Sequence, residues 1–268
     1  MNLTRILTAI HGEPWMITPR AHAAVASLVQ RKLEGQALDL EDFVVRRPAA
    51  SVDRDGIGHV YMSGVLGRRL SNVEKTCGAC DYDDLADEMR QMAGRADALI
   101  LHADSPGGMA TGNAEAAAAF AALGIPTMVH IDGMAASAAY MIAAGADLIV
   151  ASPSASVGSI GVLIPWVDKS ARWQAFGLDY RPIISEGADL KGAGYGPSLT
   201  DDQIEHLQQE VDDLGQAFRA HIETNRAVDP EVFRAGSYRG ERALAMGLID
   251  AVGTEDEARE ALLLRLRG

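Results

Sequence analysis

The sequence predicts an α/β domain built around a parallel sheet, and three stretches carry this prediction. Residues 98–104 (ALILHAD) and 125–132 (IPTMVHID) are apolar runs that end in polar residues, which is typical of strands buried on both faces. An Ala-rich stretch closed by glycine, residues 112–124, lies between them and predicts a helix. Strand, helix and strand at this spacing imply parallel pairing through right-handed crossovers.

The composition is that of a globular protein and argues against several functions. The 268 residues are 48% hydrophobic but only 5% aromatic, so we expect a core that relies on close backbone approach. The formal net charge of −13 argues against non-specific binding to nucleic acid or to anionic membranes. No apolar run is long enough to span a bilayer, and the N-terminus lacks the pattern of a secretory signal. We therefore expect a cytoplasmic protein.

The first part of the chain predicts a helical lead-in over residues 1–50, ahead of the main domain at 51–268. Apolar residues recur at helical spacing from residue 17 onward, and Gly35 is the predicted end of that helix. The elements predicted next are a linker at 46–51, a strand at 57–67, a polar loop and an amphipathic helix at 82–97. The loop contains Cys77 and Cys80, which we interpret as reduced thiols because two thiolates make only half a zinc site.

The C-terminal part of the chain predicts mainly helices. Residues 156–165 predict an extended segment, and residues 172–194 predict a helix, a short strand and a glycine-flanked loop. Residues 200–203 (TDDQ) form a capping box, and the helix that it starts carries an apolar stripe ending at Phe218. We expect that stripe to pack on the domain or on a partner subunit.

Small residues follow two of the predicted strands. The stretch GMAASAAYMIAAGAD, residues 133–147, predicts a helix whose first turn has one hydroxyl, Ser137, among alanines. The stretch SPGG, residues 105–108, follows the preceding strand. Because the carboxyl ends of parallel strands meet at one edge of a sheet, we expect these two stretches to lie close together.

A serine at the start of a helix is usually a cap or a small filler residue. Three features favour a nucleophile at Ser137 instead. Free N–H groups at the start of a helix suit a developing oxyanion. The glycines of SPGG allow a substrate carbonyl to approach the main chain, and the chain contains candidate bases.

The residues leave three candidate bases open. His130 and His102 lie in the two adjoining strands, where Asp104 or Asp132 could orient either ring, although hydrogen-bonded core histidines are common at such positions. Lys191 stands between glycines in GADLKGAG, where a side chain can turn inward. A lysine acts as a base only when burial keeps its amine neutral, and a solvated surface lysine is the alternative.

Taken as an ordered set, the motifs resemble the S49 family of serine peptidases, the signal peptide peptidase A group, and especially its phage head (capsid assembly) proteases. The resemblance covers residues 57–253. Its motifs are SGVLG, SPGG, GMAASAAYMIA, ASVGSIGV, a lysine about fifty residues after the serine, and GLIDAVG. The sequence departs from the signal peptide peptidases in having no membrane anchor, and GADLK differs from the lysine context common in cellular members.

The resemblance implies a Clp/crotonase-like ββα superhelix and a Ser/Lys dyad, with no metal and no cofactor. Carried over, Ser137 is the nucleophile and Lys191 the general base, and backbone N–H groups of Gly107 or Gly108 and of Ala138 form the oxyanion hole. Ser159 is implied to hold the lysine. The family forms homo-oligomeric rings, so Lys191 could serve the Ser137 of a neighbouring subunit.

The sequence therefore predicts a serine endopeptidase that processes portal, scaffold or capsid proteins during phage head assembly, in the host cytoplasm or the procapsid. The expected partners are a protein substrate and further copies of the chain, with no nucleic acid and no membrane. Three alternatives stay open: a soluble cellular peptidase that degrades peptide remnants, a non-catalytic ring or scaffold component, and an acyl-CoA hydratase relative.

Overall fold

The computed structural model describes residues 10, 12–34, 36, 47–179, 181–192 and 198–267. Parts of the sequence predictions lie outside these residues: residues 1–9, 11 and 37–45 of the lead-in, Gly35 as the end of its helix, Arg46 at the start of the linker, Tyr180, and residues 193–194 of the lysine loop. None of the helices within the described residues combines the length and the apolar character needed to cross a membrane.

The described residues form twelve strands: β1 (Trp15–Ile17), β2 (Ser51–Val52), β3 (Ile57–Ser63), β4 (Leu66–Gly67), β5 (Cys80–Asp81), β6 (Ala98–Ser105), β7 (Gly107–Met109), β8 (Thr127–Ala136), β9 (Leu148–Ala151), β10 (Ser156–Gly158), β11 (Ser237–Arg239) and β12 (Ala251–Val252). The α-helices in the same residues are α1 (Pro19–Leu33), α2 (Asn72–Thr76), α3 (Tyr82–Ala93), α4 (Asn113–Ala121), α5 (Ala138–Ala143), α6 (Ser170–Ala175), α7 (Asp201–Asn225), α8 (Gly240–Ala245) and α9 (Glu255–Arg267). Two 3₁₀ helices span Asp189–Gly192 and Pro230–Arg234.

The strands form two sheets. The larger sheet has the order β11-β10-β8-β6-β3-β2, with β9 also paired to β8 and β12 to β9. Its pairs from β3 through β6, β8 and β10 are parallel. The smaller sheet has the order β1-β7-β4-β5. This confirms the predicted α/β class with a parallel sheet.

A strand in the larger sheet, a short strand in the smaller sheet and a helix recur along the chain. The first unit is β3, β4 and α3, and the second is β6, β7 and α4. The short strands turn away from the larger sheet at Gly64 and Pro106, and β4 then pairs with β7 at Leu66 and Gly108. The repeated unit is that of the predicted ββα superhelix, and it brings the SPGG stretch to the edge of the larger sheet.

The core on one side of the larger sheet holds the helix that follows Ser137. All six residues of α5 are buried, and five of them are 0% exposed. Five of the six residues are alanine, tyrosine or isoleucine, and the helix contacts β6, β7 and β8 in the same core. Alanine allows the short helix to approach the strands closely, which is the kind of core expected from the low aromatic content of the sequence.

Several predicted boundaries were wrong. The strand predicted at 125–132 runs on through Gly133 to Ala136, because its last three residues pair with β10. Ser137 therefore follows the strand directly, with no separate turn. The strand predicted within residues 172–194 is absent from the described part of that segment, and Lys191 lies in a 3₁₀ helix.

The N-terminal lead-in packs on the main domain. Strand β1 joins the smaller sheet through β7, and its Trp15 and Ile17 form a small apolar cluster with Ile10 and Met109. One face of α1 packs against this cluster. The lead-in thus lies next to the glycines of the SPGG stretch.

Candidate active site

Ser137 has a strained backbone conformation. Its φ and ψ are 54° and −117°, and a positive φ is uncommon for a residue with a side chain. Conformations of this kind cost about 1–3 kcal/mol and persist only where the surroundings enforce them. Here the Ser137 N–H donates to Gly158 O at 2.7 Å, and the serine alone joins the end of β8 to the start of α5. Such strain is concentrated at functional sites.

The helix after the serine is fixed by hydrogen bonds to three other parts of the chain, two of which supply the side chain. Asn113 at the start of α4 donates through Nδ2 to Ala138 O at 2.9 Å. His221 in α7 donates through Nε2 to Met141 O at 2.8 Å, and the Tyr140 hydroxyl donates to Leu248 O at 2.8 Å. The position of the Ala138 N–H is therefore set by the whole core and not by the short helix alone.

The glycines of SPGG lie against the start of this helix. A methyl group built on Gly107 would lie 3.1 Å from Ala138 N and 2.9 Å from Ala136 O. A methyl group on Gly108 would lie 1.9 Å from Leu66 O. Gly107 also has a φ of +96°, so both positions require glycine. The structure thus brings together the three predicted oxyanion residues, Gly107, Gly108 and Ala138.

Ser105 distinguishes the two glycine N–H groups. Its hydroxyl donates to Gly64 O at 2.6 Å, and its Oγ accepts a hydrogen bond from the Gly107 N–H at 3.2 Å. Because a side chain of the same motif occupies the Gly107 N–H, whereas the Gly108 N–H faces only strand β1, Gly108 is the better candidate for an oxyanion donor. In the sequence Ser105 is only the first residue of the SPGG motif, and no residue pattern indicates this second role.

The other wall of the site is the segment after β10. Gly158 accepts the Ser137 N–H, and Gly161 O accepts the Ser137 hydroxyl at 3.3 Å. Ser159 lies between these two glycines, is 7% exposed and has a φ of 56°. Its N–H donates to Gly236 O at 2.8 Å. The structure therefore places Ser159 next to Ser137, with a backbone conformation as unusual as that of Ser137.

Lys191 is not brought to Ser137 within one chain. Its side chain is exposed and lies in an open cleft with acidic residues of α7, Asp202 and Glu205. The 3₁₀ helix that carries Lys191 is held to α7 by Gln203, whose Nε2 donates to Asp189 O at 2.9 Å. The described hydrogen bonds of the Ser137 side chain lead to Gly161 and not to Lys191.

The histidine alternatives for the base are wrong. His130 and His102 are paired in register on β8 and β6, and His130 lies seven residues before Ser137 in an extended strand. At about 3.3 Å per residue, that separation is roughly 20 Å. His102 instead stacks on Tyr61 and lies 2.9 Å from the ring of His59.

These rings form a polar cluster on the opposite face of the sheet, under α9. Burial lowers the pKa of His102 to about 4, and the neighbouring rings of His59 and His130 act in the same direction. Within the described residues, His59, His102 and Glu255 offer ligand atoms within 4.8 Å of one another. The C-x-x-C thiols are free, and burial raises the pKa of Cys80 to about 11, so this thiol is unreactive at neutral pH.

A strained serine between a buried strand and a helix, with two glycines beside the first helical N–H, is an arrangement typical of enzymes that use serine for acyl transfer. The comparisons with known proteins agree. The model of Peptidase family S49 matches residues 119–265, which is more than half of the chain and includes Ser137, Ser159 and Lys191. The chain belongs to peptidase family S49.

Individual relatives include viral and cellular proteins. Capsid assembly protease C of Escherichia phage lambda is 25% identical and covers 96% of this chain and 64% of the relative. Protease 4 of Salmonella typhi is 30% identical, and the match covers 83% of this chain and 36% of the relative. Among solved structures, a variant of ClpP1 from Listeria monocytogenes has a TM-score of 0.47 at 12% identity and covers 75% of this chain and 93% of that chain. The chain spans roughly half to two thirds of the length of the curated relatives it matches first.

Proposed function

We propose that this protein is a serine endopeptidase in which Ser137 is the nucleophile and Lys191 the general base. The observation that carries the proposal is the strained Ser137 at the start of α5, with Gly107 and Gly108 packed against the Ala138 N–H. Nothing in ordinary helix capping requires this conformation, since the Ser137 side chain makes no cap hydrogen bond. Membership of the S49 family supports the same roles.

In this mechanism Ser137 Oγ attacks the carbonyl carbon of the scissile peptide bond and passes its proton to Lys191 Nζ. The negative charge on the carbonyl oxygen is stabilised by the N–H groups of Gly108 and Ala138, with Gly107 leaving the space that the oxygen needs. Lys191 then returns the proton to the leaving amine, and an acyl-enzyme on Ser137 remains. Water, deprotonated by Lys191, hydrolyses that ester and frees the serine.

We propose further that Lys191 acts on the Ser137 of a neighbouring subunit in a homo-oligomeric ring. A lysine serves as a base only when its amine is removed from water, because an ammonium group has no lone pair. In the single chain Lys191 is exposed and separate from Ser137. A neighbouring subunit would supply the missing burial, and Ser159 beside Ser137 would supply a hydroxyl to orient the amine.

The substrate that we propose is a portal, scaffold or capsid protein of a phage head, cleaved in the host cytoplasm or the procapsid. The phage lambda protease aligns with 96% of this chain, whereas the family model begins only at residue 119. The lead-in and the SPGG stretch are thus part of the similarity to the phage protein. A soluble cellular peptidase is the second candidate, favoured by the similarity to Protease 4.

Labelling with a fluorophosphonate probe tests the nucleophile. The wild-type protein should be labelled in its assembled form, Ser137→Ala should not be labelled, and Lys191→Ala should be labelled at least tenfold more slowly. Ser154→Ala is the matched control, because Ser154 is exposed and should leave labelling unchanged. Label retained in Ser137→Ala would contradict the assignment, and absence of label in the assembled wild type would favour the non-catalytic alternative.

A further inference from the structure

Strand β1 lies along the edge of the proposed oxyanion glycines. It pairs antiparallel with β7, with Met16 opposite Gly108 and Ile17 opposite Gly107. The flanking bonds are Thr18 N–H to Pro106 O at 3.0 Å and Ala110 N–H to Pro14 O at 3.1 Å. Because hydrogen-bonded pairs alternate along an antiparallel ladder, Met16 and Gly108 form the hydrogen-bonded pair between them. The Gly108 N–H is thus directed at the carbonyl of Met16.

The other edge of β1 is also paired. Trp15 N–H donates to Leu163 O at 2.8 Å, and Leu163 N–H donates to Trp15 O at 3.0 Å. Leu163 comes two residues after Gly161, whose carbonyl accepts the Ser137 hydroxyl. Strand β1 is therefore held between the glycine wall and the Gly161 wall of the candidate active site.

The carbonyl of Met16 lies close to the proposed oxyanion residues. The point 2.2 Å from Met16 O, at which a Gly107 methyl group would sit, is also 3.1 Å from Ala138 N. Met16 O is thus directed toward the Gly108 donor, and the small space next to it also borders the Ala138 donor. Ser137 itself is only 1% exposed, so a protein substrate cannot reach its hydroxyl in this state.

We propose that residues 14–18 are an internal ligand of the peptide-binding groove, so that a substrate binds as an extended strand between β7 and Leu163 only after β1 has left. This inference rests on the proposed peptidase function. An extended peptide gains main-chain hydrogen bonds on both edges of such a groove and side-chain pockets at alternate positions. Trp15, Met16 and Ile17 are all buried, which implies that the groove takes peptides with large apolar residues. The apparent affinity for substrate falls with the fraction of molecules in which β1 is displaced.

A reversible cross-link tests this occupancy. Trp15 and Met109 are opposite each other at a non-hydrogen-bonded position, where side chains approach closely enough for a disulfide. The double variant Trp15→Cys/Met109→Cys should hydrolyse an apolar peptide when reduced, lose at least about tenfold of that activity when oxidised, and recover with dithiothreitol. The wild-type protein, with its native Cys77 and Cys80, is taken through the same treatments as the control.

A second variant tests release of the strand. Ile17→Asp places a charge in the small apolar cluster of β1, which is separate from the main core, and should raise peptide hydrolysis about tenfold or more. Ala23→Asp is the matched control, because it adds the same charge on the exposed face of α1 and should leave the activity unchanged.

The outcomes separate the inference from the function on which it rests. Equal peptidase activity in the oxidised and reduced forms, with no gain in Ile17→Asp, would make β1 a permanent part of the sheet and overturn the inference while Ser137 is still labelled. Absence of Ser137 labelling in every form, including Ile17→Asp, would overturn the proposed function.

Discussion

The serine side and the lysine side of the proposed dyad differ in how much of the protein holds them. Ser137 is 1% exposed, and its strand, its helix and both adjacent walls are fixed by hydrogen bonds within the chain. The described residues between Val162 and Leu199, which include Lys191, are largely exposed. The strongly exposed apolar side chains of this segment are Val167, Trp173, Phe176, Leu178, Ile183 and Leu190.

The difference indicates which part of the site is complete in one chain. Exposed apolar residues concentrated in one segment mark an interaction surface. Helix α7 also has a buried part and an exposed part. Phe218 and Ile222 are buried on the domain, whereas Ile204 in the first turn of the helix is 51% exposed. The strand, glycines and helix around Ser137 are thus held within one chain, whereas our proposal requires a neighbouring copy to complete the lysine segment.

The largest expected effect tests whether the two sides come from different subunits. Co-expressed Ser137→Ala and Lys191→Ala chains should recover about a quarter of wild-type activity in a mixed ring, since each variant alone is inactive and random assembly pairs an intact serine with an intact lysine at that frequency. The measurement is peptide hydrolysis by the purified mixed assembly. Activity no higher than in the single variants would mean that Ser137 and Lys191 act within one subunit, and that the lysine side needs no neighbouring copy.

A glycine substitution tests how rigid the serine side is. Gly107→Ala should lower the free energy of unfolding by about 3 kcal/mol or more. The added methyl group would clash with Met16 O and Ala138 N, and alanine would also be strained at the positive φ of this position. Gly124→Ala is the matched control, since Gly124 has a φ of +71° but no atom within 4 Å of the added group. We expect it to cost about 1 kcal/mol. If urea unfolding showed the same loss of stability for both variants, the surroundings of Gly107 would be loosely packed.

The next prediction concerns the larger sheet at His102, away from the lysine segment, and uses the pH dependence of stability. The pKa of His102 is about 4 in the folded protein, so between pH 6.5 and 4 the unfolded chain binds a proton that the folded protein does not. Stability should therefore fall by up to about 3 kcal/mol as the pH decreases through this window, and level off below it. Burial would raise the pKa of Asp53, but hydrogen bonds from Ile57, Arg259 and its other partners hold this pKa at about 2. The stability that ionised Asp53 contributes is therefore lost only below pH 4.

This profile is measured by urea unfolding from pH 7 to 4.5. His102→Gln should flatten it, because the variant removes the titrating ring. Since the histidine cluster is complete within one chain, the profile should not change with protein concentration. A concentration-dependent profile would show that assembly also decides the stability of the sheet.

The smallest effect concerns the exposed surface. Ile183→Ser should weaken the assembly several-fold in sedimentation, because Ile183 is 96% exposed in the single chain, and should leave the unfolding of the monomer within about 0.5 kcal/mol. Leu264→Ser on α9 is the matched control, since Leu264 is 70% exposed but lies away from the lysine segment. Equal effects of the two variants would remove the assignment of this segment as the interface.

The α/β class, the proximity of SPGG to the serine stretch and the family could all be predicted from the residues alone. These follow from local patterns, because apolar runs of strand length and glycines at strand ends act over a few residues. The sequence could not separate His102 and His130 from Lys191 as the base, since only strand register shows that the histidines lie roughly 20 Å along the sheet from Ser137.

Other features of the site depend on contacts between distant parts of the chain. The positive φ of Ser137, the use of Ser105 to occupy the Gly107 N–H, and the placement of Met16 at the Gly108 N–H each join residues that are distant in the chain. Such contacts depend on how the two sheets meet, and no residue pattern in the lead-in distinguishes a strand in the active-site groove from an ordinary N-terminal strand. The physical reason is that hydrogen-bond partners across sheets are fixed by packing of the whole core.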